Sequence, residues 1–152
     1  MILYRLTKKA YADDLSGTGA HLYGGRWSNK GKATVYLASS QALALLEILV
    51  HLQPLIEPLN YMLLKIEVPQ ESVLEINNKE LPNDWNCDQS PMSIKKIGDD
   101  FLISNQYLLL KVPSAIVPGE FNYLLNVQHP EMKGVKIISK EPFVFDKRLL
   151  RK

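Results

Sequence analysis

With 152 residues, 46% of them hydrophobic and 22% charged, the chain falls outside the disordered and membrane-spanning classes and is long enough to bury a core without disulfides or a structural metal. Lys and Arg number 18 against 16 Asp and Glu, a net charge of +2 that is too weak a field to argue for a nucleic-acid partner. Cys87 stands alone and suits a reducing cytoplasm, no stretch reaches the ~18 apolar residues of a membrane span, and the first residues lack a secretory pattern, so a soluble, cytoplasmic, single-domain protein over 1–152 is expected.

Ile2, Tyr4 and Leu6 alternate with Leu3 and Arg5, which predicts a first strand. Residues 8–33 show no sustained period and hold Gly17, Gly19, Gly24, Gly25 and Gly31, so a long irregular segment with at most brief order is expected; such loops in compact domains are usually functional. Residues 34–37 predict a short buried strand, after which Ser39-Ser40 offers an N-cap for a helix over 41–52 that Pro54 stops. Strands are predicted at 61–68 and 73–76, and residues 81–89, with five turn-forming residues around Trp85, read as a turn. Ser90 as cap and Pro91 as first helical residue open a short helix that Gly98 ends, with Asp99 capping a second helical turn. Further strands are predicted at 107–112, 115–117, 135–138 and 143–145, and the basic run 147–152 reads as a solvated chain end. Many short strands with few helices and no regular strand–helix alternation predict an α+β domain of mainly antiparallel strands.

The 41–52 helix is the most informative element for chemistry. Ala42, Leu43, Leu45, Leu46, Ile48, Leu49, Val50 and Leu52 leave almost no polar face, which predicts burial nearly all round. Ser40, Glu47 and His51 fall within roughly 40° of one another on one seam, with Ala44 between them. Two readings of the seam stay open: a solvent side with Glu47 and His51 as an i,i+4 pair, or the wall of a pocket in which a carboxylate is kept for a task. Arg26 follows Gly24-Gly25, which suits close backbone approach to a ligand and a guanidinium fork on phosphate or ribose, and equally suits a turn with an exposed arginine beside a core tryptophan. Those glycines form neither a dinucleotide fingerprint nor a P-loop. Tyr36 reads as a core aromatic, Ser114 lacks the glycines of a nucleophile elbow, and His21, His51 and His129 are too scattered to indicate a metal.

The run from Gly24 to Gly31, then Val35-Tyr36-Leu37-Ala38 and Ala44-Leu45-Leu46-Glu47, resembles the RES domain family. The likeness continues through Gly98-Asp99, Val112-Pro113-Ser114-Ala115, the segment from Glu120 to Asn126, His129-Pro130 and the segment from Pro142 to Asp146, across essentially the whole chain. Members are toxins of RES-Xre toxin–antitoxin systems, similar in fold to diphtheria-toxin-like ADP-ribosyltransferases, and they deplete NAD. The resemblance therefore implies NAD as substrate with no separate cofactor, and an Xre-type helix-turn-helix antitoxin as partner in a complex with room for higher-order assembly. It implies no direct contact with nucleic acid or membrane.

Carried onto this chain, the family's arginine falls on Arg26, its tyrosine on Tyr36, its glutamate on Glu47 and its serine on Ser114, and Asn126 is expected to help shape the pocket. The implied roles are a pyrophosphate or ribose clamp for Arg26, a stacking surface for Tyr36, charge stabilisation at the nicotinamide ribose for Glu47 and orientation of nicotinamide for Ser114. Phe101 and Val127 depart from the family's usual Trp and Pro, which touches local packing. Hydrolysis, phosphorolysis and transfer of ADP-ribose to a protein share the first half of this chemistry; a non-catalytic partner-binding module is the alternative of a different class.

Overall fold

The computed structural model describes residues 1–151; Lys152, the end of the basic run, lies outside them. One mixed sheet carries seven strands: β1 (Ile2–Lys8), β2 (Val35–Ala38), β3 (Tyr61–Glu67), β4 (Val73–Glu75), β5 (Leu109–Pro113), β6 (Phe121–Leu125) and β7 (Lys136–Phe143). Their spatial order is β4-β5-β6-β2-β1-β3-β7, and every neighbouring pair is antiparallel except β4 and β5. With helices α1 (Thr18–Tyr23), α2 (Gln41–Leu49) and α3 (Met92–Ser104), this is the α+β class expected from the strand pattern.

The register explains where a cavity opens. β1 and β3 pair along their whole length, from Ile2 opposite Glu67 to Lys8 opposite Tyr61, whereas β1 meets β2 at one position, Tyr4 opposite Ala38. Beyond it, toward Thr7 and Val35, the strands part and the sheet divides into two halves joined at a corner. On one face Leu3, Val35, Leu37, Leu64 and Ile66 form a core. On the other, Leu6 and Ala38 pack with Leu43 and Ala44 of α2, and farther along Leu110, Val112 and Leu124 pack with Ile94 and Phe101 of α3.

Several elements differ from expectation. α2 ends at Leu49, so His51 lies past its last turn, and only Leu43 and Ala44 are buried; Leu45 to Leu49 are partly exposed. Its Ser40 cap does accept from Leu43 N at 3.1 Å. α3 runs straight through Gly98. A Cβ there would lie 1.7 Å from the Trp27 carbonyl oxygen, so this glycine admits a neighbouring loop and does not terminate the helix. Pro91, not Ser90, is the extended residue before α3, and Ser90 Oγ donates to the Arg26 carbonyl. Asp99 accepts from Asn29 N at 3.0 Å and Asn29 Nδ2 at 2.7 Å in place of a capping role.

The expected strand at 115–117 is a turn in which Ser114 Oγ accepts from the backbone N–H groups of Ile116 and Val117. Residues 136–143 form one continuous strand where two fragments were predicted, and β6, a central strand, was absent from the predicted set. The basic run is in part ordered: Lys147–Leu150 makes one 3-10 turn capped by Asp146. Within the described residues no helix is long and apolar enough to cross a membrane.

Candidate active site

A pocket of about 660 Å³ opens where β1 and β2 part, a size typical of small-ligand sites. Its walls come from β1, β2, the start of α1, the Gly24–Trp27 loop, α2 and the end of β6 nearest α2. Arg26, Tyr36 and Glu47 all line it, so a loop, a strand and a helix that follow one another in the chain meet at one cavity, and the seam on α2 is a pocket wall. His51 stands at the same wall but is exposed.

Glu47 is held on one side. Asn122 and Ala38 are register partners on β6 and β2, and Ala38 packs with Leu43 and Ala44, so that face of the sheet presents the Asn122 amide to α2. Asn122 Nδ2 donates to Glu47 Oε1 at 2.6 Å. Ser114 Oγ donates to the same oxygen at 3.3 Å, while its own lone pairs accept from Ile116 N at 3.1 Å and Val117 N at 3.0 Å. Ser114 is 4% exposed and stands behind Glu47, outside the pocket wall.

Tyr36 reaches beneath the Gly24–Trp27 loop. Its Oη accepts from Trp27 N at 3.1 Å and shares a 2.8 Å hydrogen bond with Ser28 Oγ. A Cβ at residue 25 would come within 2.4 Å of that hydroxyl, so only glycine lets the ring tuck in. Burial, partly offset by the Ser28 hydrogen bond, pushes the phenol up to about 12, which keeps it protonated at neutral pH. Its hydroxyl is thus an anchor for the loop, and the ring is what the cavity sees.

Arg26 sends Nη1 to the carbonyls of Cys87 at 2.8 Å and Trp85 at 3.3 Å, and Nη2 to that of Asp88 at 3.4 Å. The guanidinium fastens the 85–88 turn, whose Asp88 also lines the pocket. Lys95 of α3 donates to the carbonyls of Gly25 and Ser28, and burial, with Arg26 nearby and Asp99 opposing, lowers its pKa.

Arg5 was not singled out from the sequence. It sits on β1 between buried Leu3 and Thr7 on the same strand face, and its Nη1 donates to Asp14 O at 2.7 Å. Burial lowers its pKa, with Asp14 opposing. An arginine between two inward positions was the available signal, but period two alone does not reveal that both faces of β1 are covered. Among the described residues none of Arg5, Arg26 and Lys95 forms an ion pair with a carboxylate.

Asn126 is not brought to this site. Only 2% exposed, it donates to Asn105 Oδ1 at 2.7 Å and Tyr107 O at 3.5 Å, and its Oδ1 accepts from Gln128 N at 3.2 Å. It fastens the turn after α3, where Asn105 adopts a left-handed conformation. No cluster of three or more metal-ligating side chains occurs among the described residues.

The RES domain family matches residues 2–146. A protein named "Prs ADP-ribosylating toxin" from Sphingobium sp. (strain YBL2) is 44% identical over 144 residues, covering 93% of this chain and 89% of the relative. "Toxin Res" of Yersinia enterocolitica is 40% identical over 152 residues, covering 98% of this chain and 99% of the relative. The fold is shared with a chain in the crystal structure of the M. tuberculosis MbcT-MbcA toxin-antitoxin complex, at a TM-score of 0.77 and 22% identity over 94% of this chain and 84% of that one. The family match takes in every strand, all three helices and the whole pocket wall, and on that ground this chain belongs to the RES domain family.

Proposed function

We propose that this chain is the toxin half of a toxin–antitoxin pair and that it cleaves the bond between nicotinamide and ribose in NAD. The observation that carries the reading is Glu47, a carboxylate fixed on the wall of a pocket that also holds three cationic side chains without ion-pair partners. An anionic dinucleotide suits that combination: cations for the diphosphate, a carboxylate for the sugar. The names of the Sphingobium and Yersinia relatives support the same reading.

As the bond from the ribose carbon to the ring nitrogen breaks, its electron pair leaves with nicotinamide and positive charge builds on the sugar, as in glycoside cleavage. Glu47 faces that charge and accepts a ribose hydroxyl, contributing stabilisation that grows toward the transition state. Water adds its oxygen to the same carbon and releases a proton to solvent, giving ADP-ribose. Arg26 and Arg5 hold diphosphate or ribose oxygens, and the Tyr36 ring is the stacking surface for nicotinamide. Ser114 spends its one hydroxyl proton on Glu47, so Ser114 serves nicotinamide only if that contact is exchanged. In this reading an Xre-type antitoxin restrains the toxin by covering the pocket.

Incubating the purified protein with NAD and measuring free nicotinamide tests the proposal. Release with ADP-ribose as product supports hydrolysis, while a phosphorylated ADP-ribose formed only with inorganic phosphate points to phosphorolysis. Label transferred from NAD to a protein is the second reading, favoured by the name of the Sphingobium relative. No release of nicotinamide under any of these conditions overturns the proposal in favour of a non-catalytic partner-binding module.

A further inference from the structure

We propose that Asn122 is a positioning residue that locks Glu47 so that one carboxylate oxygen alone is presented to the substrate; this rests on the reading of Glu47 as the charge-stabilising group. Asn122 comes from β6, in the other half of the split sheet from β1, and lines the pocket beside the carboxylate. Its contact is the shortest that Glu47 makes, 2.6 Å from Nδ2 to Oε1. A carboxylate only accepts, so the amide must face it with nitrogen and not oxygen, which fixes the side-chain flip. Ser114 donates to the same oxygen from behind at 3.3 Å.

Both donors therefore converge on Oε1. Oε2 accepts no hydrogen bond from the described residues and is not among the buried unpartnered atoms, so it stays accessible to a ligand. Two donors on one oxygen hold the plane of the carboxylate as well as its direction. α2 alone does not do this, because Glu47 has three rotatable bonds and its helix neighbours Leu46 and Ile48 are partly exposed. An amide also keeps its donor at every pH, which a carboxyl partner does not.

A group that orients another lowers turnover when removed and leaves substrate binding nearly untouched. Asn122→Ala is expected to reduce kcat for nicotinamide release by about 10- to 100-fold with KM changed less than about threefold. Asn122→Asp, of the same shape but with a second carboxylate against Oε1, is expected to lose at least as much. In a Glu47→Ala background, Asn122→Ala is expected to lower the residual rate no further, because the partner it positions is gone. A variant with kcat within twofold of the parent, or losses that multiply in the double variant, overturns the proposal; rates are normalised to folded protein so that a merely structural role is separated out. Should the parent release no nicotinamide, the functional reading fails on its own, and the same cycle followed by urea unfolding decides the contact. Midpoint losses that are less than additive in the double variant uphold it, and strictly additive losses overturn it.

Discussion

Glu47 and Tyr36 show how differently two pocket residues are used. Replacing Glu47 with Gln keeps shape and the capacity to accept from Asn122 while deleting the charge. The fold is expected to persist and nicotinamide release to fall at least about 100-fold, the size seen when one electrostatic contribution to a transition state is removed; a folded variant with undiminished release contradicts the role. Tyr36 makes a different prediction. An exposed tyrosine in the unfolded chain ionises near 10, the folded one near 12, so in between the unfolded chain gives up a proton that the folded chain retains. Its contribution to stability is complete below about pH 10 and is lost as pH rises toward about 12. Tyr36→Phe removes that alkaline component, and also about 1–3 kcal/mol through the stranded Trp27 N–H and Ser28 hydroxyl. Urea midpoints of the two proteins at about pH 9 and about pH 11 check it, and parallel losses in both contradict it. Glu47 was legible in the sequence as the carboxylate on an apolar helix. Arg5 and Asn122 were not, because what makes them unusual is a neighbour contributed by a distant strand or loop: Asp14 across a turn for one, α2 across the sheet for the other.

At the scale of elements, the Gly24–Trp27 loop is clamped from three sides, by Tyr36 beneath, by Lys95 and Gly98 of α3 alongside, and by the 85–90 segment above. Gly98→Ala puts a methyl group against the Trp27 carbonyl, a backbone atom that cannot swing aside. A loss of about 1–3 kcal/mol or more is expected, with a parallel loss of NAD cleavage because the loop carrying Arg26 is displaced; unfolding midpoints and rates equal to the parent's would contradict the clamp. Arg26 has a related function in this frame. Its three carbonyl contacts hold the 85–88 turn, whose amides at Trp85 and Cys87 donate to Pro82 and Asp84. Arg26→Ala is therefore expected to speed hydrogen exchange at those two amides as well as to raise KM, and unchanged exchange there would show that the turn stands without it. Strands β1 and β3 were readable because their side chains alternate. β6 was not, because Phe121-Asn122-Tyr123-Leu124-Leu125 is covered on both faces, and Leu124 shares a face with Asn122, so the period-two pattern breaks off after three residues. α2 departs in the opposite sense: its apolar composition all round predicts burial all round, yet only Leu43 and Ala44 are buried, since one stripe of the helix lies on the sheet, Glu47 and Ile48 line the pocket, and Leu45 to Leu49 stay partly exposed.

For the whole molecule the decisive feature is a sheet whose halves meet at Tyr4 and Ala38 alone, a property of pairing that no local pattern records. Arg5 stands on one half, Arg26 and Lys95 belong to elements packed against the other, and Glu47 crosses the corner on α2. In the proposed function a dinucleotide bound among them would tie the halves together and so link binding to folding. Glu47→Gln, which retains the cations but turns over little substrate, is the form in which to see this. At a hundredfold excess of NAD over its Kd the folded state gains about 2.7 kcal/mol, or about 5–10 °C in Tm for a chain of this size. Because the proposed attraction comes from Arg5, Arg26 and Lys95, which form no ion pair among the described residues, the shift is expected to shrink as salt is raised from low to physiological strength and beyond, and to shrink again on Arg5→Ala. Thermal unfolding of the variant with and without NAD, at two salt concentrations, measures both effects. A Tm indifferent to NAD removes the ligand from this cleft, whereas a shift indifferent to salt keeps the ligand and moves its diphosphate away from Arg5, Arg26 and Lys95.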